Sequence, residues 1–174
     1  MTFLARKINR AKWDPVEGFA DGEIAADAVT VDLRTTGNTL SFWTCASAAD
    51  EEINATVLAL MSVAERIDKI DVTWIQDAEV RSRGLAVVKT DGRTPVESLR
   101  ERHVDIARLD LHRLGSVAKM ISKAVADNQH RRLTKKEVGD ILCSAITRGL
   151  LKLEDVGEKL RPEIAAVISK DHAQ

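Results

Sequence analysis

The chain has 174 residues, of which 44% are hydrophobic and 30% charged, and its formal net charge is −1. These values suit one globular domain, or a domain with a small appendage, and exclude collagen-like, low-complexity and strongly polyionic classes. With no Tyr, three Phe and three Trp, the chain offers few aromatic platforms for stacking nucleic-acid bases.

The mean charge hides segregation. Residues 1–13 carry four bases and no acid, residues 14–80 fourteen acids and three bases, and residues 81–136 fourteen bases and six acids. Such a pattern either steers a polyanion to the middle segment or lets acidic and basic parts of one fold face each other. The second is the simpler expectation. The opening "MTFLARKINRAKW" has a three-residue apolar run and no signal-peptide h-region. The longest apolar run, "VLALM", is too short to cross a bilayer. Cys45 and Cys143 lie far apart with no C-x-x-C, so two reduced thiols are expected. The expected location is cytoplasmic, without membrane contact.

Along the chain, residues 13–27 combine Pro, Gly and acids and read as a loop. In "AVTVDLRTTGNTLSFWTC", Val29, Val31 and Leu33 alternate with polar residues, Gly37 and Asn38 supply a turn, and Leu40 and Phe42 alternate again. That pattern predicts an N-terminal β-hairpin. Ser47 and Asp50 resemble a capping box ahead of a helical stripe of Ile53, Val57, Leu60, Met61 and Ala64. Ile70, Val72 and Trp74 predict a strand, and residues 85–89 a short second one. Thr94, Pro95 and Glu97 start a short helix. Residues 103–110 read as extended. A helical stripe then runs through Leu114, Val117, Ala118, Ile121, Ala124 and Val125. Thr134 with Glu137 forms a second capping box, Gly149 ends the helix that follows, and residues 153–170 suggest further short helices.

The expected fold is therefore α+β: an N-terminal β-hairpin, a small mixed or antiparallel sheet with helices packed on one face, and a helical C-terminal third. Residues 1–128 are read as the α+β core and 129–174 as a helical subdomain packed on it, or 1–174 as one domain.

The chain lacks a Walker phosphate loop, a dinucleotide fingerprint, H-E-x-x-H and G-x-S-x-G. Nor does an acid stand two positions before any lysine. The segment "ERHVDIARLDLHRLG" holds the best chemical candidates, His103, Asp105, Arg108, Asp110 and His112. On a regular strand, period two puts His103 and Asp105 on one face and Arg108, Asp110 and His112 on the other. A His and a carboxylate two apart can converge on one ion, or the carboxylate can orient the imidazole. A closed metal site needs ligands from elsewhere, so a solvated face with salt bridges is the expected reading, with no metal and no cofactor.

Residues 130–148 offer a second candidate: Arg131, Arg132, Lys135 and Lys136 precede a capped helix, a turn at Gly149 and another helical octet. This is the outline of a helix-turn-helix, although Glu154 and Asp155 would repel phosphates. Trp43, out of phase with Leu40 and Phe42, is a candidate partner anchor. The leading expectation is a non-catalytic intracellular accessory or regulatory subunit acting through a protein partner or self-association. The alternatives are nucleic-acid binding through 130–148 and an enzyme using 103–112.

Overall fold

The structure, a computed structural model, describes residues 1–20 and 22–171. Six strands form one antiparallel sheet: β1 (Phe3–Ile8), β2 (Leu40–Cys45), β3 (Ile70–Gln76), β4 (Ala86–Lys89), β5 (His103–Ala107) and β6 (His130–Leu133), in the order β4-β5-β2-β1-β3-β6. The helices are α1 (Ala26–Asp32), α2 (Asp50–Met61), α3 (Asp77–Ser82), α4 (Glu97–Arg100), α5 (Leu111–Ala126), α6 (Lys135–Thr147) and α7 (Arg161–Asp171). The α+β class, the antiparallel sheet and the helical C-terminal part agree with the sequence pattern.

Two details differ from it. The sheet is covered on both faces, not one. Phe42, Leu40, Leu4, Ile8 and Ile106 pack with Trp13 and with Val117, Ile121 and Ala124 of α5. On the opposite face Ala5, Trp43, Cys45, Ile70 and Val72 pack with α2, α6 and Ile164 of α7. The cause is visible in β1, β2 and β3, whose buried positions fall on both parities; such strands leave no face for water.

The N-terminal hairpin is also absent, because residues 26–32 are helix α1. Its turn survives. Thr36 and Thr39 form an isolated bridge around Gly37 and Asn38, at φ 61° and 60°, as the primed two-residue turn requires. The alternation of Val29 and Val31 is broken in three dimensions. Ala28 and Leu33 are buried, whereas Val31 is 54% exposed. Tertiary bonds hold the segment helical: the Asp32 carboxylate accepts from the Asn9 N–H at 2.8 Å and the Trp13 indole at 2.7 Å. Strand β2 pairs instead with β1 and β5.

The β1–β2 ladder is short. It pairs Phe3 with Cys45, Leu4 with Thr44 and Ala5 with Trp43, and then the strands diverge. The Arg6 guanidinium bridges part of the wedge. Its Nη1 donates to the Ser41 carbonyl at 2.6 Å, while Nε and Nη2 donate to the Asp32 carbonyl at 3.0 and 2.6 Å. It also lies over the Phe42 ring, 5.7 Å from its centroid, within cation–π range. A side chain thus takes over where the sheet's own hydrogen bonds stop.

Opposite charges of the segregated sequence meet across the fold. Arg132 makes a bidentate pair with buried Asp71 at 2.7 and 3.0 Å, its register partner on β3. Arg131 reaches Asp50 at 2.8 Å, and Arg102 reaches Glu52 at 3.0 Å. Residues from β6, α6 and α7 share one buried cluster with residues of β1, β2, α2 and β3.

Candidate functional site

The His/Asp segment is divided by the fold. Strand β5 ends at Ala107, and Arg108 turns the chain with φ 58°. Asp110 then caps α5, its Oδ1 accepting from the Arg113 N–H at 2.7 Å. That bond holds the Asp110 carboxyl below its ordinary range, helped by the Arg113 and His112 charges. Arg108, Asp110 and His112 therefore do not share a strand face. They form an exposed helix entry, where Arg113 Nη1 donates to the Arg108 carbonyl at 2.9 Å. The capping geometry accounts for this cluster.

His103 and Asp105 do share a face of β5, but each is bound to a different partner. Register places Trp43 opposite His103 and Ser41 opposite Asp105, and directly opposed side chains interact. The His103 ring meets Trp43 edge-on with centroids 5.1 Å apart, and its Nδ1 lies 2.7 Å from the Thr90 hydroxyl. The Ser41 hydroxyl donates to Asp105 Oδ1 at 2.8 Å. Burial pushes the His103 imidazole below its ordinary pKa, with Asp105 pulling the other way. Among the described residues, no three His, Cys, Asp or Glu side chains are grouped so as to hold a metal ion.

Trp43 is not an outward anchor. It is 6% exposed, because its face of the sheet is the second core. A Cβ placed on Gly92 would lie 2.4 Å from the Trp43 ring tip, so the backbone of the loop before α4 rests on the indole. Cys45 is equally enclosed; its Sγ is 3.2 Å from the Thr56 hydroxyl, and burial raises its thiol pKa.

The basic stretch is strand β6 and the start of α6. Besides the pairs of Arg131 and Arg132, Lys135 lies 3.5 Å from Glu163. Lys136 is exposed and forms no ion pair among the described residues. The Thr134–Glu137 capping box forms in full. The helix-turn-helix outline does not: after Gly149, at φ 70°, residues 153–155 make only a single 3₁₀ turn, and α7 begins at Arg161. Pro162 fits the first turn of α7 and cannot extend a helix from before it. His130, on the same strand, accepts from Arg10 Nε at 3.3 Å; its Nδ1 is buried and has no hydrogen-bond partner among the described residues.

The feature that sequence reasoning missed is a groove of about 400 Å³ between α2, α4 and α6. Glu51, Asn54, Ala55 and Leu58 line it from α2, and Ile141, Ser144 and Ala145 from α6, with Arg148 at the C-cap of that helix. Both sets have the spacing i, i+3, i+4, i+7, so each helix presents one stripe. Ala55, Ser144 and Ala145 are small and leave room between the helices; α4, four residues long, closes the groove through Leu99 without filling it. Leu58, Leu99, Ile141, Ala145 and Leu150 supply apolar surface, while Glu51, Asn54, Asp140 and Arg148 supply polar groups. A wider depression of about 730 Å³ lies beside Asp91, Arg93, Arg100 and Glu101 and is lined by charges of both signs. Spacing on α2 and α6 was the available signal, but it reads equally as core until the two stripes are seen facing one opening.

No family model, curated protein or solved structure matches the chain. Among the described residues no helix is long and apolar enough to cross a membrane.

Proposed function

We propose that this chain is a non-catalytic binding protein, an accessory or regulatory subunit of a cytoplasmic system, acting through protein–protein contacts at the α2–α4–α6 groove. The groove itself supports this reading: an apolar floor with a polar rim is what an amphipathic helix of a partner requires. Nucleic-acid binding through 130–148 has less support, because Arg131, Arg132 and Lys135 are engaged with acids of the same chain. An enzymatic reading rests on His103 and Asp105, which are tied separately to Thr90 and Ser41.

Affinity capture from cells that encode the chain tests the proposal. The wild type should retain a defined partner, or a second copy of itself, that Ile141→Glu releases. Sedimentation of the purified chain separates those two outcomes. Equal recovery of every captured protein by wild type and Ile141→Glu counts against the groove.

A further inference from the structure

The divergence of β1 from β2 leaves a slot in the sheet of about 430 Å³. Ile8, Val31, Trp43 and Leu60 give it apolar walls, and its charged residues are Arg6, Lys7 and Asp32. We propose that this slot binds a small carboxylate with an apolar body, the carboxylate at Arg6 and Lys7 and the body against Val31, Trp43 and Leu60.

Three observations lead there. First, Arg6 carries five N–H donors, and its hydrogen bonds go to only two backbone carbonyls, those of Asp32 and Ser41. It forms no ion pair among the described residues. The two nearby carboxylates, whose charges favour the cation, each turn one oxygen to other donors: Asp32 Oδ2 accepts from Asn9 and Trp13, and Asp105 Oδ1 accepts from Ser41. A guanidinium fork without a carboxylate partner suits bidentate recognition of one. Second, Val31 is 54% exposed on α1, beside the half-buried Arg6, so the slot sets an exposed apolar surface next to a cation. Third, the site is built on a sheet whose strands are held on both outer sides by β3 and β5, which keeps the opening formed without a ligand. Burial pushes the Arg6 pKa down to about 10, against the pull of Asp32 and Asp105, as expected for a cation short of direct anionic contact.

Titration of the full chain with octanoate, followed by ¹H–¹⁵N NMR, tests the proposal. Saturable shifts are expected at Lys7, Asn9, Val31 and Ser41 and not at Asn54 or Ser144, with a Kd on the order of 1 mM or tighter. Inorganic phosphate, which lacks the body, and 1-octanol, which lacks the charge, should each bind at least about tenfold more weakly. Arg6→Met removes the proposed contact but also touches the sheet. Val31→Glu is therefore the second variant: it sits at the surface and should weaken octanoate about tenfold by like-charge repulsion while leaving the melting temperature in place. Absence of saturable octanoate shifts, octanol binding as tight as octanoate, or an unchanged octanoate affinity in Val31→Glu overturns it.

Discussion

Replacing Arg6 by Met keeps most of the side chain's length and removes every N–H donor from the wedge between β1 and β2. The lost bonds run to the Ser41 carbonyl at 2.6 Å and to the Asp32 carbonyl at 3.0 and 2.6 Å. A hydrogen bond from a charged donor is worth about 1.5–3 kcal/mol, so two acceptors set a gross loss of about 3–6 kcal/mol. Relief of the guanidinium's desolvation and entry of water into the slot return part of it, leaving about 2–4 kcal/mol. Arg6→Lys keeps the charge as a compact donor able to serve one carbonyl well, and should cost about 1–2 kcal/mol. Urea denaturation at neutral pH measures both, with the slope of the unfolding line unchanged. A loss under about 0.5 kcal/mol for Arg6→Met would refute the reasoning, since the guanidinium would then be an ordinary surface group.

Gly92→Ala drives a methyl toward the Trp43 ring tip, 2.4 Å away, and toward His103 Cβ, 3.1 Å away; overpacking of this kind costs about 1–3 kcal/mol, and a near-neutral melting temperature would mean the loop yields freely. Asp32→Ala strands the Asn9 N–H and the Trp13 indole N–H and should cost about 3 kcal/mol; in a double-mutant cycle with Trp13→Phe the two losses should be less than additive, and simple additivity would deny the bond. His103 and His130 both have imidazole pKa values lowered in the fold, chiefly by burial. The unfolded chain therefore binds their protons first, and stability should fall as pH drops below about 6.5 toward the folded values, with no contribution above. Thermal melts across that window should show a shallower decline in His103→Gln, and an unaltered slope would count against its burial as the cause.

Residues whose local pattern matched their tertiary setting were legible from the sequence. Ile70, Val72 and Trp74 do form a strand, Thr134 and Glu137 do cap α6, and Gly37 and Asn38 do turn the chain. Strand β1 was not legible: Arg6 and Lys7 interrupt its apolar run, although Leu4, Ala5 and Ile8 are buried. Only the wedge explains a guanidinium in an interior strand. Helix α1 was misread because Val29 and Val31 favour strands locally, while the bonds of Asp32 to Asn9, Trp13 and Arg6 come from far along the chain. Trp43 was misplaced for a related reason: alternation separates two faces but does not say that both are covered. Arg108, Asp110 and His112 read as one strand face because the left-handed turn at Arg108 has no signature in a non-glycine residue. The groove is a relation between two helices and exists only once they are packed.

The most direct measurement places a photo-crosslinking residue at position 144, in the groove, and separately at position 119, on an exposed turn of α5 on the opposite face of the sheet. Irradiation in the cells that encode the chain should give one discrete adduct from position 144 and none from position 119. Adding Ile141→Glu should abolish it. No adduct from position 144, or the same adducts from both positions, would contradict a partner seated between α2, α4 and α6.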